Sequence, residues 1–593
     1  MWISRLLLAT LAGSAFAAAP DGEALYKTRC SGCHDGQPQP RMPERSQLTS
    51  RTPEFVLSVM ANGVMTMQAA GLSDEEERAV ARYVTGKEFS TAAAAPMAGQ
   101  CTTPAPKLTL ADGDWTGWGG DPNNSHFQTK PGLAAADVPK LKLKWAFGFP
   151  KEPMAFSQPS VAGGRIFVGS VSGNVYSLDA FTGCIYWTYS TGGAGVRTAI
   201  SIGKLPNGKW AAYFGDLRAT AHAVDAETGA LLWKIKLDDH PVARITGAPM
   251  LVNGRLYVPM SSIEEASATQ KTYECCTFRG SVSSIDAVTG KKIWQSYSVS
   301  DPAKPYKTSK EGTQMKGPAG AAIWSSPTVD LKRKLVYAST GNSYTGVDIS
   351  TSDSILAFDL ETGRLVWSSQ VQPKDNFVVG CPRVPNCPEE DGPDFDFGTS
   401  VVLRKLPNGK DILIGGQKSG VAWGLDPDNR GKVIWQTRLG KGSALGGVEW
   451  GHAADDRLAY IPISDRINGK NGTPGLYALD LATGEQKWGT PAPAGIPGNP
   501  AQSAAIAVIP GVVFSGALNG HFRAYATSNG EIIWDFDTNR PFDTVNHVDK
   551  AKGGSIDAPG PVIAHGMVYT NSGYGMFGGI PGNVLLAFSV DGK

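Results

Sequence analysis

Long hydrophobic runs are missing from this chain: the one continuous apolar stretch, Leu6-Leu7-Leu8-Ala9-Thr10-Leu11, is too short to span a bilayer. Excess charge of either sign is missing too, since 55 Lys and Arg face 54 Asp and Glu for a net charge of +1. That balance excludes bulk attraction to nucleic acid or an anionic membrane. Histidine is scarce, with 8 scattered residues, so no His-rich metal site is available. What the chain has in quantity is turn-forming residues, 71 Gly and 40 Pro in 593 positions. It reads as a globular protein of many short elements.

The first residues carry Arg5, the short apolar run and then Ser14-Ala15-Phe16-Ala17-Ala18-Ala19, the pattern of an export signal ending in small residues. A signal peptide over 1–19, cleaved near Ala18 or Ala19, sends the protein to the bacterial periplasm. Directly after it comes Cys30-Ser31-Gly32-Cys33-His34. Two thiols and a histidine at this spacing suit covalent attachment of haem c: each thiol adds across one vinyl group, and His34 becomes the proximal iron ligand. The other six cysteines can pair fully in an oxidising compartment. Cys381 with Cys387 closes a small loop, Cys275 with Cys276 forms a vicinal bridge, and Cys101 with Cys184 follows by elimination.

From 20 to 88 the pattern is helical and compact, with Thr52-Pro53-Glu54 opening one helix and Ser73 capping another, Glu76 at the capping-box position. This resembles the small class I cytochrome c domain, an all-α unit that supplies a distal methionine shortly before its last helix. The resemblance implies Met65 as sixth ligand, with Met67 and then Met42 behind it. Residues 89–110, rich in Ala and Pro, read as a linker.

The remainder, 111–593, is a repeat. Asp-x-x-Thr-Gly-x-x-x-Trp stands at Asp179 to Trp187, Asp225 to Trp233, Asp286 to Trp294, Asp359 to Trp367 and Asp480 to Trp488. Looser copies keep Gly431 with Trp435 and Gly530 with Trp534. Each copy reads as strand, turn, strand, and such hairpins bury their faces only against neighbours, as in a closed ring of four-stranded blades. The expected fold is an all-β eight-bladed propeller with Trp-docking repeats. Leu141-Lys142-Leu143-Lys144-Trp145 looks like the outer strand that the last blade lacks, so the two ends of the repeat region close the ring together.

The repeat resembles the eight-bladed quinoprotein alcohol dehydrogenases, which hold pyrroloquinoline quinone (PQQ) and Ca²⁺. Together with the haem motif, Glu274-Cys275-Cys276-Thr277-Phe278-Arg279-Gly280 and Gly573-Tyr574-Gly575, the chain is most similar to the polyvinyl alcohol dehydrogenase (cytochrome) group. The resemblance implies a cofactor carboxylate on Arg197, a hydrogen bond from Thr246, a stacking wall at Trp324 and a cation, Lys418, at the quinone oxygens where many relatives have arginine. It implies Ca²⁺ on Glu264, Asn342 and Asp396, with Glu265 and Glu274 as alternatives to Glu264. Asp396 becomes the general base, with Asp394 second. The Cys275–Cys276 pair is expected to cover the quinone or shape the substrate mouth. The rim that selects substrate is expected from the inserts 298–317 and 380–393. The activity implied is oxidation of secondary, polymeric or bulky alcohols, with electrons leaving through haem c to an external cytochrome or other respiratory acceptor. Two other readings share the architecture: a non-catalytic propeller of the outer-membrane assembly type, and a cytochrome cd1-like reductase, which needs a second, histidine-held haem.

Overall fold

The computed structural model describes residues 19–36, 42–89 and 97–593. The expected signal segment before Ala19 and most of the Ala-rich stretch at 90–96 lie outside the described residues. Contacts divide the chain into two compact units, Met1–Leu57 with Leu72–Ser90, and Ser58–Gly71 with Thr91–Lys593. No helix among the described residues is long and apolar enough to cross a membrane.

The helical part follows its local signals. Asp21 caps Gly22–Arg29 by accepting from the backbone of Glu23 and Ala24. Thr52 Oγ1 accepts from Phe55 N at the start of Pro53–Asn62. Asp74–Thr85 opens on the full capping box: Glu76 N donates to Ser73 Oγ at 3.3 Å and Ser73 N to Glu76 Oε2 at 2.7 Å. It ends on Gly86 at φ 64°, the left-handed stop that glycine permits.

Among the described residues the strands form eight antiparallel four-stranded sheets, one of them with a short added strand, Ala243–Arg244, and a separate two-stranded hairpin of Lys304–Thr308 with Gln314–Gly317. In chain order blades 1 to 7 span 160–190, 201–236, 250–297, 328–370, 402–438, 453–491 and 507–537. Blade 8 takes three strands from 562–590 and its outer strand from Leu141–Gly148, which pairs with Val584–Val590 from Leu141 opposite Val590 to Gly148 opposite Val584. The strand expected to complete the ring is therefore the one that does.

The repeat motif explains the joints. Asp286 Oδ1 accepts from Val288 N, Thr289 N and Thr289 Oγ1 at 3.1, 2.8 and 2.7 Å, which folds the turn between third and outer strands. The turn's glycine then receives the tryptophan of the preceding blade. At Gly229 (φ 75°) an added Cβ would lie 2.8 Å from the Trp187 ring, so only glycine leaves the ring its place. The indole N–H completes the dock: Trp187 Nε1 donates to Ala226 O at 3.1 Å, Trp435 to Leu481 O at 3.0 Å, and Trp534 to Leu141 O at 3.0 Å across the ring closure. Trp187→Ala is expected to cost about 3–5 kcal/mol, seen as a lower midpoint in urea unfolding. An unchanged midpoint would remove the docking role.

Three disulfides hold the second unit, Cys101–Cys184, Cys275–Cys276 and Cys381–Cys387, the pairing expected from the sequence. Cys30 and Cys33 take part in no disulfide and are half-buried and exposed.

Candidate active site

Antiparallel alternation decides which loops meet. The segment entering a blade's innermost strand and the turn between its second and third strands emerge at one end of the ring, while the Asp-x-x-Thr-Gly turns emerge at the other. Arg197, Thr246, Trp324, Asp394, Asp396, Trp450 and Ala558 lie in entering segments, and Glu264, Asn342, Lys418 and Tyr574 in second turns. All are therefore brought to one face.

A narrow crevice opens there, with Arg197, Thr246, Trp324, Trp450, Ser325 and Ala558 in its lining. Trp324 and Trp450 meet edge to face with centroids 5.0 Å apart. The Arg197 guanidinium lies 4.1 Å from the Trp450 ring centroid and donates from Nη2 to Tyr574 Oη at 3.0 Å, its one hydrogen bond among the described residues. Its other donors are available to a carboxylate, a task suited to a rigid guanidinium fork. Thr246 Oγ1 pairs with Ser261 Oγ at 2.6 Å. Planar walls, a cation with spare donors and hydroxyls suit a flat polycarboxylate.

Beside the crevice Lys418 binds two carboxylates at once. Its Nζ lies 3.1 and 3.2 Å from Asp394 Oδ1 and Oδ2, 2.9 Å from Asp396 Oδ2, and 5.5 Å from the Trp324 ring centroid. Asp396 Oδ1 accepts from Asn342 N at 2.7 Å. Gly341 makes that approach possible, since a Cβ there would meet Asp396 Oδ1 at 2.8 Å. Asp375 accepts from the backbone of Asp394 and Phe395 and so fixes the loop. Burial holds the Asp394 carboxyl well above the usual range, with Lys418 pulling the other way. Burial alone would lower Lys418; Asp394 and Asp396 outweigh it and raise its pKa well above that of ordinary lysine.

Around this one lysine the acids are in excess. Burial pushes Glu265 up to about 7, with Lys418 opposing and Asp396 reinforcing the shift. Glu449, whose Oε2 is buried without a hydrogen bond, also stands at about 7, chiefly through burial. Asp353 is fully buried, with both carboxyl oxygens lacking a hydrogen bond, and burial followed by the field of Asp375 raises it strongly. A divalent cation would relieve this surplus, and oxygen ligands are at hand. Asn342 commits Nδ2 to Ser343 O and Phe377 O at 2.8 and 2.9 Å, leaving Oδ1 without a protein donor.

The two adjacent glutamates part here. Glu264 is engaged on both oxygens, by Tyr273 Oη at 3.0 Å and by Thr277 N and Phe278 N at 2.8 Å each, with His240 Nε2 3.3 Å away. It clamps the loop after the vicinal cysteines, whereas Glu265 is the one in the field of Lys418 and Asp396. Glu274 pairs with Lys316 and is more than half exposed. Cys275 and Cys276 lie in the hydrophobic cluster that holds Phe278, Tyr344 and Val378, against which Trp324 packs, and not in the crevice lining. Trp450 in the crevice wall and Tyr574 behind it, on Arg197, are among the residues that sequence reasoning gave no role.

At the haem motif, His34 Nδ1 lies 2.8 Å from Pro43 O. A proton on Nδ1 makes that hydrogen bond and leaves Nε2 for a metal, the usual orienting partner of a ligating imidazole. Met65 and Met67 flank the start of Thr66–Ala69 and are half-buried, while Met42 is exposed.

Comparison with known proteins gives the same picture. A family model described as glucose/ethanol/alcohol dehydrogenase, beta-propeller domain, matches residues 115–387, one described as cytochrome c oxidase, cbb3-type, subunit III matches 17–84, and one described as outer membrane protein assembly factor BamB matches 418–554. A polyvinylalcohol dehydrogenase of Pseudomonas sp is 44% identical over 100% of this chain and 97% of its own length. One from Sphingopyxis sp. (strain 113P3) is 44% identical over 97% and 93%. Among solved structures, quinohemoprotein alcohol dehydrogenase ADHIIG of Pseudomonas putida HK5 superposes with a TM-score of 0.62 at 19% identity, covering 81% of each chain, a likeness of fold.

Proposed function

The chain belongs to the polyvinylalcohol dehydrogenase family of PQQ-dependent, haem-linked alcohol dehydrogenases, and from that premise we propose that it oxidises secondary alcohols borne on an extended hydrocarbon chain, with Asp396 as the base. The observation that carries the assignment of the base is the double grip of Lys418 on Asp394 and Asp396 beside the aromatic crevice. PQQ, Ca²⁺ and haem c supply, in turn, two-electron acceptance, Lewis-acid polarisation and one-electron exit.

The chain's own residues do the rest. Arg197 and Thr246 hold and orient the quinone against Trp324 and Trp450. Asn342, Asp396 and Glu265 hold the cation, with Glu264 instead shaping the loop behind it. Asn342 N fixes Asp396 Oδ1, and Lys418 Nζ lies at Oδ2, the oxygen that takes the hydroxyl proton of the alcohol. Asp394 shares the lysine and is the alternative base. Cys30 and Cys33 attach the haem, His34 and Met65 ligate it, and an external cytochrome c or other respiratory acceptor takes the electrons. The segment 1–19 directs export to the periplasm and is cleaved near Ala18 or Ala19.

The test is anaerobic reduction of the haem band with PQQ and Ca²⁺ across primary, secondary, cyclic and polymeric alcohols. Secondary and polymeric alcohols are expected to reduce it, and chelation by EGTA to stop the reaction until Ca²⁺ is restored. A flat response to every alcohol would sink the assignment.

A further inference from the structure

We propose that Phe577 and Ile467 form a preorganised apolar lip on the site face, which takes the methylene backbone of the substrate beyond its reacting carbinol. Both are among the most exposed large apolar residues described, Phe577 at 45% and Ile467 at 58%. Both lie in second-to-third-strand turns, of blades 8 and 6, and so emerge at the end of the ring where the crevice opens.

Their display is built. Phe577 sits at φ 50°, ψ 36°, left-handed backbone that is a genuine outlier for a bulky residue and persists only where the surroundings impose it. The imposing group is Arg466, whose buried side chain forks: Nη2 donates to Phe577 O at 2.7 Å and Nη1 to Asp557 Oδ2 at 3.0 Å. Asp557 Oδ1 in turn accepts from the N–H of Ala558, a residue of the crevice wall. Met576 packs on the cluster containing Tyr574, Phe156 and Ala558, of which Phe156 and Ala558 line the crevice. Ile467 follows Arg466 in a loop pinned at its base, where Asp465 accepts from Lys441 N, Gly442 N and Thr473 N at 2.8, 3.0 and 3.0 Å.

An exposed aromatic held in a costly conformation by a buried ion pair, continuous with the crevice wall, has no packing purpose. It presents apolar area at a fixed place. A short alcohol fits the crevice without reaching it; a longer chain covers it and gains up to about fourfold in kcat/KM per methylene buried. The inference rests on the reading of the site as an alcohol dehydrogenase for extended substrates, and its test separates the two. A 2-alkanol series from 2-propanol to 2-decanol reads the lip, and a vinyl alcohol oligomer reads the substrate class. In the holoenzyme log(kcat/KM) is expected to climb with chain length. Phe577→Ala and Ile467→Ala should flatten the climb and leave 2-propanol turnover unchanged, with Phe577→Leu keeping most of it. A flat series in the unaltered enzyme, or a climb preserved in both alanine variants, overturns the lip whatever happens with the oligomer. Oligomer inactivity beside a climbing 2-alkanol series overturns the polymer reading alone.

Discussion

Asp396→Asn is expected to lower alcohol-driven haem reduction by about two to four orders of magnitude, with haem content and quinone binding unchanged. The carboxylate is buried, its Oδ1 held by Asn342 N and its Oδ2 facing Lys418 Nζ at 2.9 Å. An amide can keep one of those contacts but cannot take a proton at neutral pH. Stopped-flow measurement of the haem band under single turnover separates this loss of chemistry from slow electron exit. If turnover survives, the proton goes to Asp394, and Asp394→Asn becomes the inactive variant.

The second large effect is at Lys418. Lys418→Met removes the one cation held between two buried carboxylates, and breaking a buried ion pair from one side typically costs about 3–5 kcal/mol. Where the variant folds, its activity should move along the pH axis. Lys418 favours the ionised form of Asp394, whose carboxyl burial raises and the lysine pulls back down. Without it protonated Asp394 gains, so any limb of kcat/KM against pH that Asp394 sets shifts to higher pH. Lys418→Arg keeps the charge and should keep the limb near its original place. Matching limbs in all three proteins would show that Lys418 does not set the ionisation of the base.

Much of the fold was legible because its signals are local and redundant. The capping box at Ser73 and Glu76 needs four residues, the blade turn needs Asp, Thr and Gly in one register, and the ring-closing strand had a recognisable vacancy to fill. The site was legible by kind more than by role. Trp324 and Trp450 stand four residues after Gly320 and Gly446, the same Gly-x-x-x-Trp spacing that marks the docking tryptophans. The absent Asp and Thr before them do not by themselves separate the two kinds, since Gly431 and Gly530 lack both and their tryptophans still dock. Glu264 and Glu265 are adjacent in one helical turn, Glu264–Ser267, so their side chains diverge by about 100°. Counting along the chain cannot say which faces the lysine. The Tyr574 hydroxyl on Arg197 joins residues far apart in sequence and has no local signature.

Ring closure gives the crevice an order of assembly. Arg197 precedes blade 2, while Tyr574 belongs to blade 8, whose outer strand is Leu141–Gly148. The guanidinium therefore gains its hydroxyl partner only after the earliest and latest strands of the propeller have met. A ligand that binds the finished crevice and not the open ring stabilises the closed state by mass action. A quinone held by Arg197 would then act as a clasp as well as an oxidant, and a chain halted before blade 8 would lack the Tyr574 partner of that arginine.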